Sequence, residues 1–207
     1  LLFDPDGFFE REIEMNKPIW NGLTVVLITA FLSAITASIT SPALSKAIYK
    51  YLISKGMSAE IAKSIAASIK LSVVLSPITI IVSWILISAI LYGLSAIFSG
   101  SGSFTDTLKV AAYSFIPSIV VFPFNLYIAI QEARILEIQG LTGIENFKIA
   151  ATIINLAVLA WQFLLWKYGI KHARNLSNRD ATIVSAILTA FLLALNLYGL
   201  IHRGTFK

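Results

Sequence analysis

The side chains able to support catalysis or metal binding are few in this 207-residue chain, and they are dispersed. His172 and His202 are the two histidines and cysteine is absent, so no thiolate nucleophile, thiolate ligand or disulfide framework can be built. No residues have a metal-ligand spacing such as His-Glu-x-x-His, and the serines occur in no nucleophile elbow beside a histidine base. Ser99-Gly100-Ser101-Gly102-Ser103 is flexible enough to cradle a phosphate but lacks the lysine of a phosphate loop, and reads as a turn. The sequence therefore assigns no catalytic residue, no metal and no cofactor, and it points away from an enzyme.

The polar residues inside the long uncharged runs are amides and hydroxyls, notably Asn125, Asn155, Gln162 and Asn196. Ion-coupled transport, proton relay and intramembrane proteolysis need ionisable groups at depth, and these runs contain none. Hydrogen bonds between helices, worth about 0.6–2 kcal/mol each, are the ordinary use of such amides. The alternative is an amide-lined path through a small channel or transporter for a neutral solute. Pro117 and Pro123 remove two backbone donors from one run, which predicts a kink there with Tyr113 one turn before it. The freed carbonyls then need covering by neighbouring helices.

The elements that must position these residues follow from composition. Hydrophobic residues make up 57% of the chain and charged residues 13%, about half the charged share of an ordinary soluble domain. Five windows are free of charge: 18–45, 71–105, 110–131, 149–166 and 181–202. About 20 helical residues cross a hydrocarbon core of about 30 Å, so each window can supply one span. The windows are apolar throughout and do not alternate as barrel strands must. The expected fold is an all-α polytopic bundle of five transmembrane helices at about 18–40, 71–98, 108–131, 149–171 and 180–201. Residues 18–202 form a single membrane domain, and 203–207 a short tail.

Two further segments flank the spans. Residues 1–17 read as a short interfacial helix, capped by Asp4 with Pro5 in its first turn; Phe8, Phe9 and Ile13 share one face among Glu10, Glu12 and Glu14. Asn16-Lys17-Pro18 ends it before the aromatic anchor Trp20. Residues 42–70 read as an amphipathic helical hairpin with five lysines against Glu60, broken at Gly56 and restarted by Ser58. Its second helix could continue into the second span as one long helix bent near Pro77. No removable signal peptide is visible, and the first span is expected to direct insertion.

Ser103 with Asp106 and Ser177 with Asp180 each form a serine followed three residues later by an acid, which predicts a capping box before the third and fifth spans. Trp84 with Tyr92-Gly93 is echoed by Trp161 with Tyr168-Gly169, so spans two and three could be a distant copy of spans four and five. Lysine and arginine divide seven to nine between the two sides of a five-span chain, which leaves orientation undecided. The net charge of +5 suits orientation bias and anionic lipid rather than nucleic acid.

Several of these features, in order along the chain, resemble the Yip family of five-span membrane proteins, named for interaction with Ypt/Rab GTPases. The resemblance rests on Asp4-Pro5 with Phe8-Phe9, then Trp84 and Tyr92, then Gly100-Ser101-Gly102-Ser103-Phe104. It continues through Ala112-Tyr113 with Pro117 to Trp161, Gly169, Arg179 and Ala181. It implies a cytoplasmic N-terminus, with the Ser99–Ser103 turn and the Lys171–Arg179 loop on the same face, in the cell membrane if the source is prokaryotic. Eukaryotic relatives act in vesicle trafficking and bind Rab GTPases. This chain lacks their long hydrophilic N-terminal region and its Asp-Leu-x-Gly-Pro element, resembles the shorter prokaryotic branch, and does not inherit Rab binding. The expected role is a non-enzymatic membrane-organising or partner-binding protein, with Lys171, Arg174 and Arg179 as a partner or lipid surface. Stripes of small residues would also support a homo-oligomer.

Overall fold

Caps, prolines and positive-φ residues decide where each helix starts and stops in the computed structural model. It describes residues 1, 3–15 and 17–202, the side chains of 144–149 and 199–202 excepted. Asn16, the side chain of His202 and the tail 203–207 lie outside the described residues. All regular structure among the described residues is helical: α1 Pro5–Glu14, α2 Trp20–Ser54, α3 Ala59–Lys70, α4 Ser72–Ile97, α5 Phe104–Tyr113, α6 Ile116–Val120, α7 Phe122–Gln139, a 3-10 turn Gly140–Ile144, α8 Glu145–Ala173 and α9 Asn178–His202.

Four of these helices are long and apolar enough to cross a membrane, and the pair Phe104–Val120 and Phe122–Gly143, bent by 57°, makes a fifth if counted as one span. Large apolar side chains such as Leu75, Ile78, Ile85 and Leu86 on α4 are exposed, as lipid-facing helices require. The chain is a multi-pass membrane protein.

Two expected boundaries move. The first span and the first arm of the 42–70 hairpin are one 35-residue helix, α2, which passes through Pro42 without ending. Ser and Thr hydroxyls around the proline bond back to backbone carbonyls, Thr36 to Leu32, Ser38 to Ile35 and Thr40 to Thr36. At about 1.5 Å per residue, α2 is about 52 Å long, well beyond the hydrocarbon thickness. The second boundary divides the one long helix expected from the hairpin into the second span. The chain breaks at Leu71, between α3 and α4, and Pro77 lies inside a continuous α4.

The kink expected in the third window is present, and its geometry explains its low cost. Pro117 is the second residue of α6 and Pro123 the second of α7, positions where a helix has no use for the missing N–H. The Ser114 carbonyl at the first break accepts from Gln162 Nε2 of α8 at 3.1 Å, so a neighbouring helix covers it.

The chain forms two compact units. One comprises Leu1–Val26, Ser83–Pro117 and Leu156–Lys207. Its core joins Phe9 of α1, Leu91 of α4, Val110 and Tyr113 of α5, Trp166 and Ile170 of α8, and Val184 and Leu188 of α9. The other comprises Leu27–Val82 and Ser118–Asn155, where Ala43 and Ala47 of α2 pack with Ala133 and Leu136 of α7.

Candidate functional site

The functional candidates of the first unit converge where α4 turns into α5 and α8 into α9. Ser99 takes a left-handed φ of 58°, and the Gly100 amide returns to the Ser95 carbonyl at 2.9 Å, closing a six-to-one helix end. Asn175, with φ of 51°, ends α8 in the same way as the Leu176 amide bonds to the Lys171 carbonyl at 3.0 Å. The next helices start alike. Ser103 Oγ accepts from the Asp106 amide at 3.0 Å and donates to its Oδ2 at 2.6 Å, and Ser177 does the same with Asp180 at 3.1 and 2.6 Å. Both serine caps are therefore made, each aspartate bonding the serine hydroxyl rather than its backbone amide, and the two hairpins are locally equivalent.

Arg174 holds the two turns together. Its side chain reaches back from the end of α8: Nε donates to Ser95 Oγ at 2.9 Å, Nη2 to the Gly100 carbonyl at 2.6 Å, and Nη1 to the Gly102 carbonyl. The guanidinium carbon lies 4.1 Å from the Tyr92 ring centroid, and Phe104 meets that ring edge-on at 5.4 Å. In return the Arg174 carbonyl accepts from the Ser101 amide at 2.9 Å, and Asn175 Nδ2 donates to Ser101 Oγ. Gly102 must be glycine, because φ is 115° and a Cβ would overlap the Ala173 carbonyl. Gly100 is restricted by space alone, with a Cβ placed 2.8 Å from the Ser95 carbonyl oxygen.

Arg174 is only 3% exposed, so it does not belong to the partner or lipid surface assigned to it from sequence. The reason is the two carbonyls freed at the turn, which a planar fork can satisfy together. Lys171 is likewise occupied internally. Its Nζ contacts both oxygens of Asp6 at 2.9 Å, and His172 Nε2 lies 2.6 Å from Asp6 Oδ1. Arg179 stays exposed.

A second set of contacts docks α1. Phe8 and Phe9 meet the Tyr113 ring edge-on, with centroids 5.1 and 6.2 Å away. The Tyr113 hydroxyl donates to Glu12 Oε1 at 2.6 Å, and Lys17 Nζ lies 3.0 Å from Glu12 Oε2. The apolar face of α1 is thus covered by protein, and Glu12 of the same helix is 2% exposed. Trp84 Nε1 donates to the Leu108 carbonyl at 2.8 Å, joining α4 to α5. Ala112 is fully buried where a Cβ on Gly22 would lie 3.0 Å from its own, and Pro117 is buried beside the break.

The intramembrane amides are divided between the two units. Asn125 and Asn155 belong to the second unit, Asn155 being exposed. Asn196 belongs to the first and donates to the Leu192 carbonyl of its own helix at 2.8 Å. Among the described residues no set of three His, Cys, Asp or Glu side chains is placed to hold a metal.

Sequence reasoning missed Asp6, Glu12, Lys109 and His172. Lys109 is 2% exposed and pairs with Asp106 at 2.9 Å. For Lys109 a signal was present, since it follows the capping-box acid by three residues on one helix face. Asp6 and His172 meet across 166 positions, and Glu12 is 101 positions from the Tyr113 hydroxyl that donates to it.

Asp6 has a carboxyl held below its ordinary value, first by the hydrogen bond from Lys171, against the opposing effect of burial, and then by His172. A depressed native pKa stabilises the fold above the unfolded value of about 3.9, and the contribution is lost as pH falls through the lower native value. Acid titration of amide exchange in α1 is expected to show an opening step below about pH 3.9 that Asp6→Asn abolishes.

The model of the Yip1 domain matches residues 1–199. An uncharacterised protein of the archaeon Methanocaldococcus jannaschii is 45% identical over 40 residues, 19% of this chain and 28% of that relative's length. No solved structure gives a significant match. The matched region carries the spans, both capped hairpins and the tyrosine that anchors α1, and on that near-complete coverage the chain belongs to the Yip family of membrane proteins.

Proposed function

We propose that the chain is a non-enzymatic five-span scaffold whose N-terminal side docks a partner protein. In this reading the bent pair is one span and α1 lies at the interface. The N-terminus, the Ser99–Ser103 turn and the Lys171–Arg179 loop then share the cytoplasmic face of the cell membrane. One observation carries the proposal: α1 and the two turns, remote in sequence, are joined into one fixed surface by Arg174 and by the Asp6 cluster. Asp6 is paired with Lys171 and His172, and the Arg174 guanidinium is held by a hydroxyl and two backbone carbonyls, an arrangement that suits a structural joint better than a reacting centre. Glu10, Arg11, Glu14 and Arg179 remain exposed, and Phe3 is 99% exposed. Mixed rim charge beside an aromatic anchor is the composition of a docking interface.

The proposal is tested by a photo-crosslinker at position 3 in native membranes. A discrete protein adduct is expected from the unchanged chain and is expected to be lost in the combined variant Glu10→Lys, Glu14→Lys, Arg179→Glu. All three positions are exposed, so the fold is retained. Equal adduct yield in the variant sinks the docking role.

A further inference from the structure

The helices that connect the first two spans carry a basic groove that the scaffold role does not use. The second half of α2 and α3 are held together by hydroxyls: Ser45 Oγ donates to the Ala66 carbonyl at 2.6 Å and Ser41 Oγ to the Ile69 carbonyl at 3.2 Å. Ala62 and Ala66 are the buried residues of α3, and small side chains are what allow such an approach. Because alanines occupy the packed face, Ile61 and Ile65 remain 55% and 39% exposed, and Leu71 beyond them 57%.

Between the two helices lies an open groove of ≈ 650 Å³, whose walls include Lys46 and Tyr49 from α2 and Lys63 and Lys70 from α3. No carboxylate lines it, and Glu60 is the one acid in residues 42–70. None of the three lysines has an ion-pair partner among the described residues. Three unpaired ammonium groups around one concavity repel one another, and a bound anion removes that repulsion.

The position of the groove selects the anion. α2 is itself a membrane-spanning helix, and α3 is separated from the next, α4, by Leu71 alone. Both walls therefore continue into spans, and Leu71, which follows Lys70 directly and is 57% exposed, offers apolar surface at the membrane end of the groove that an acyl chain covers and a free phosphate cannot. We propose that Lys46, Lys63 and Lys70 hold the phosphate headgroup of an anionic membrane phospholipid, with the exposed tyrosine hydroxyl of Tyr49 available as a further donor.

Native mass spectrometry of the full chain in detergent, with phosphatidylglycerol or phosphatidylcholine added, tests this. The unchanged chain is expected to retain phosphatidylglycerol in preference to phosphatidylcholine. The triple variant Lys46→Gln, Lys63→Gln, Lys70→Gln is expected to lose that retention by at least about ten-fold, given roughly five-fold per lysine near a lipid phosphate. Lys50→Gln with Lys55→Gln, on the same hairpin outside the groove, is expected to behave as the unchanged chain. Should the triple variant not fold, Lys63→Gln alone is expected to reduce retention by about five-fold. Equal retention with the groove lysines removed overturns the proposal, as does an equal loss on removing Lys50 and Lys55. Displacement of phosphatidylglycerol by millimolar inorganic phosphate also overturns it, because the site would then belong to a soluble anion.

Discussion

Arg174→Ala is expected to destabilise the fold by about 3–4 kcal/mol, measured by denaturant titration in mixed micelles. The substitution removes a buried guanidinium that donates to Ser95 and to the carbonyls of Gly100 and Gly102 and stacks on Tyr92. Hydrogen bonds to a charged donor are worth about 1.5–3 kcal/mol each, and three on one group do not add fully. Arg174→Lys keeps the charge but loses the fork, and is expected to recover less than half of the loss. The Ser101 amide, which donates to the backbone carbonyl of residue 174, serves as a local reporter. Its hydrogen exchange is expected to accelerate in both variants while that of Val184, deep in α9, changes only with global stability. A surface role for Arg174 predicts the opposite: near-neutral stability, with unchanged exchange at Ser101.

Tyr113→Phe is expected to cost about 2 kcal/mol, because it leaves the buried Glu12 carboxylate without the hydroxyl that donates to it at 2.6 Å. Lys17 remains, but its side chain is 38% exposed and is only a partial replacement. Glu12→Gln combined with Tyr113→Phe is expected to cost less than the sum of the single changes, since an amide is less penalised than a carboxylate when its donor is gone. The readout that separates anchoring from general packing is amide exchange in α1. It should rise in Tyr113→Phe while the exchange of α9 stays with global stability. Strict additivity of the two substitutions would show that the tyrosine acts only by filling space.

The parts of this architecture that can be read from the chain are those decided within one or two turns of helix. A helix that crosses lipid must be long and apolar, and the uncharged windows hold four such helices and one bent pair. Ser103 with Asp106 and Ser177 with Asp180 cap their helices within three residues, and both caps are made. Pro117 and Pro123 predict the break in the third window because each removes its own backbone donor. Local rules misplace two boundaries. Pro42 lies inside α2 without ending it, and the chain breaks at Leu71 where no proline stands.

Charge placement behaves differently. Lys171, Arg174 and Arg179 look equivalent in a loop between two spans, yet one is paired, one is buried and one is exposed. Nothing within a few residues distinguishes them, because the discriminating partners are Asp6, 165 positions from Lys171, and Ser95, 79 from Arg174. Tyr113 and Glu12 are 101 positions apart.

Composition and local spacing alone determine that this is an all-helical membrane chain with capped hairpins and a broken third window, because solvent, capping and proline geometry are short-range constraints. Tertiary contact alone decides that the Ser99–Ser103 turn is a rigid joint rather than a free loop. It also decides that Tyr113 is an anchor for α1 and that Arg174 serves the interior. Each of these depends on carbonyls and carboxylates that become neighbours only when distant helices pack.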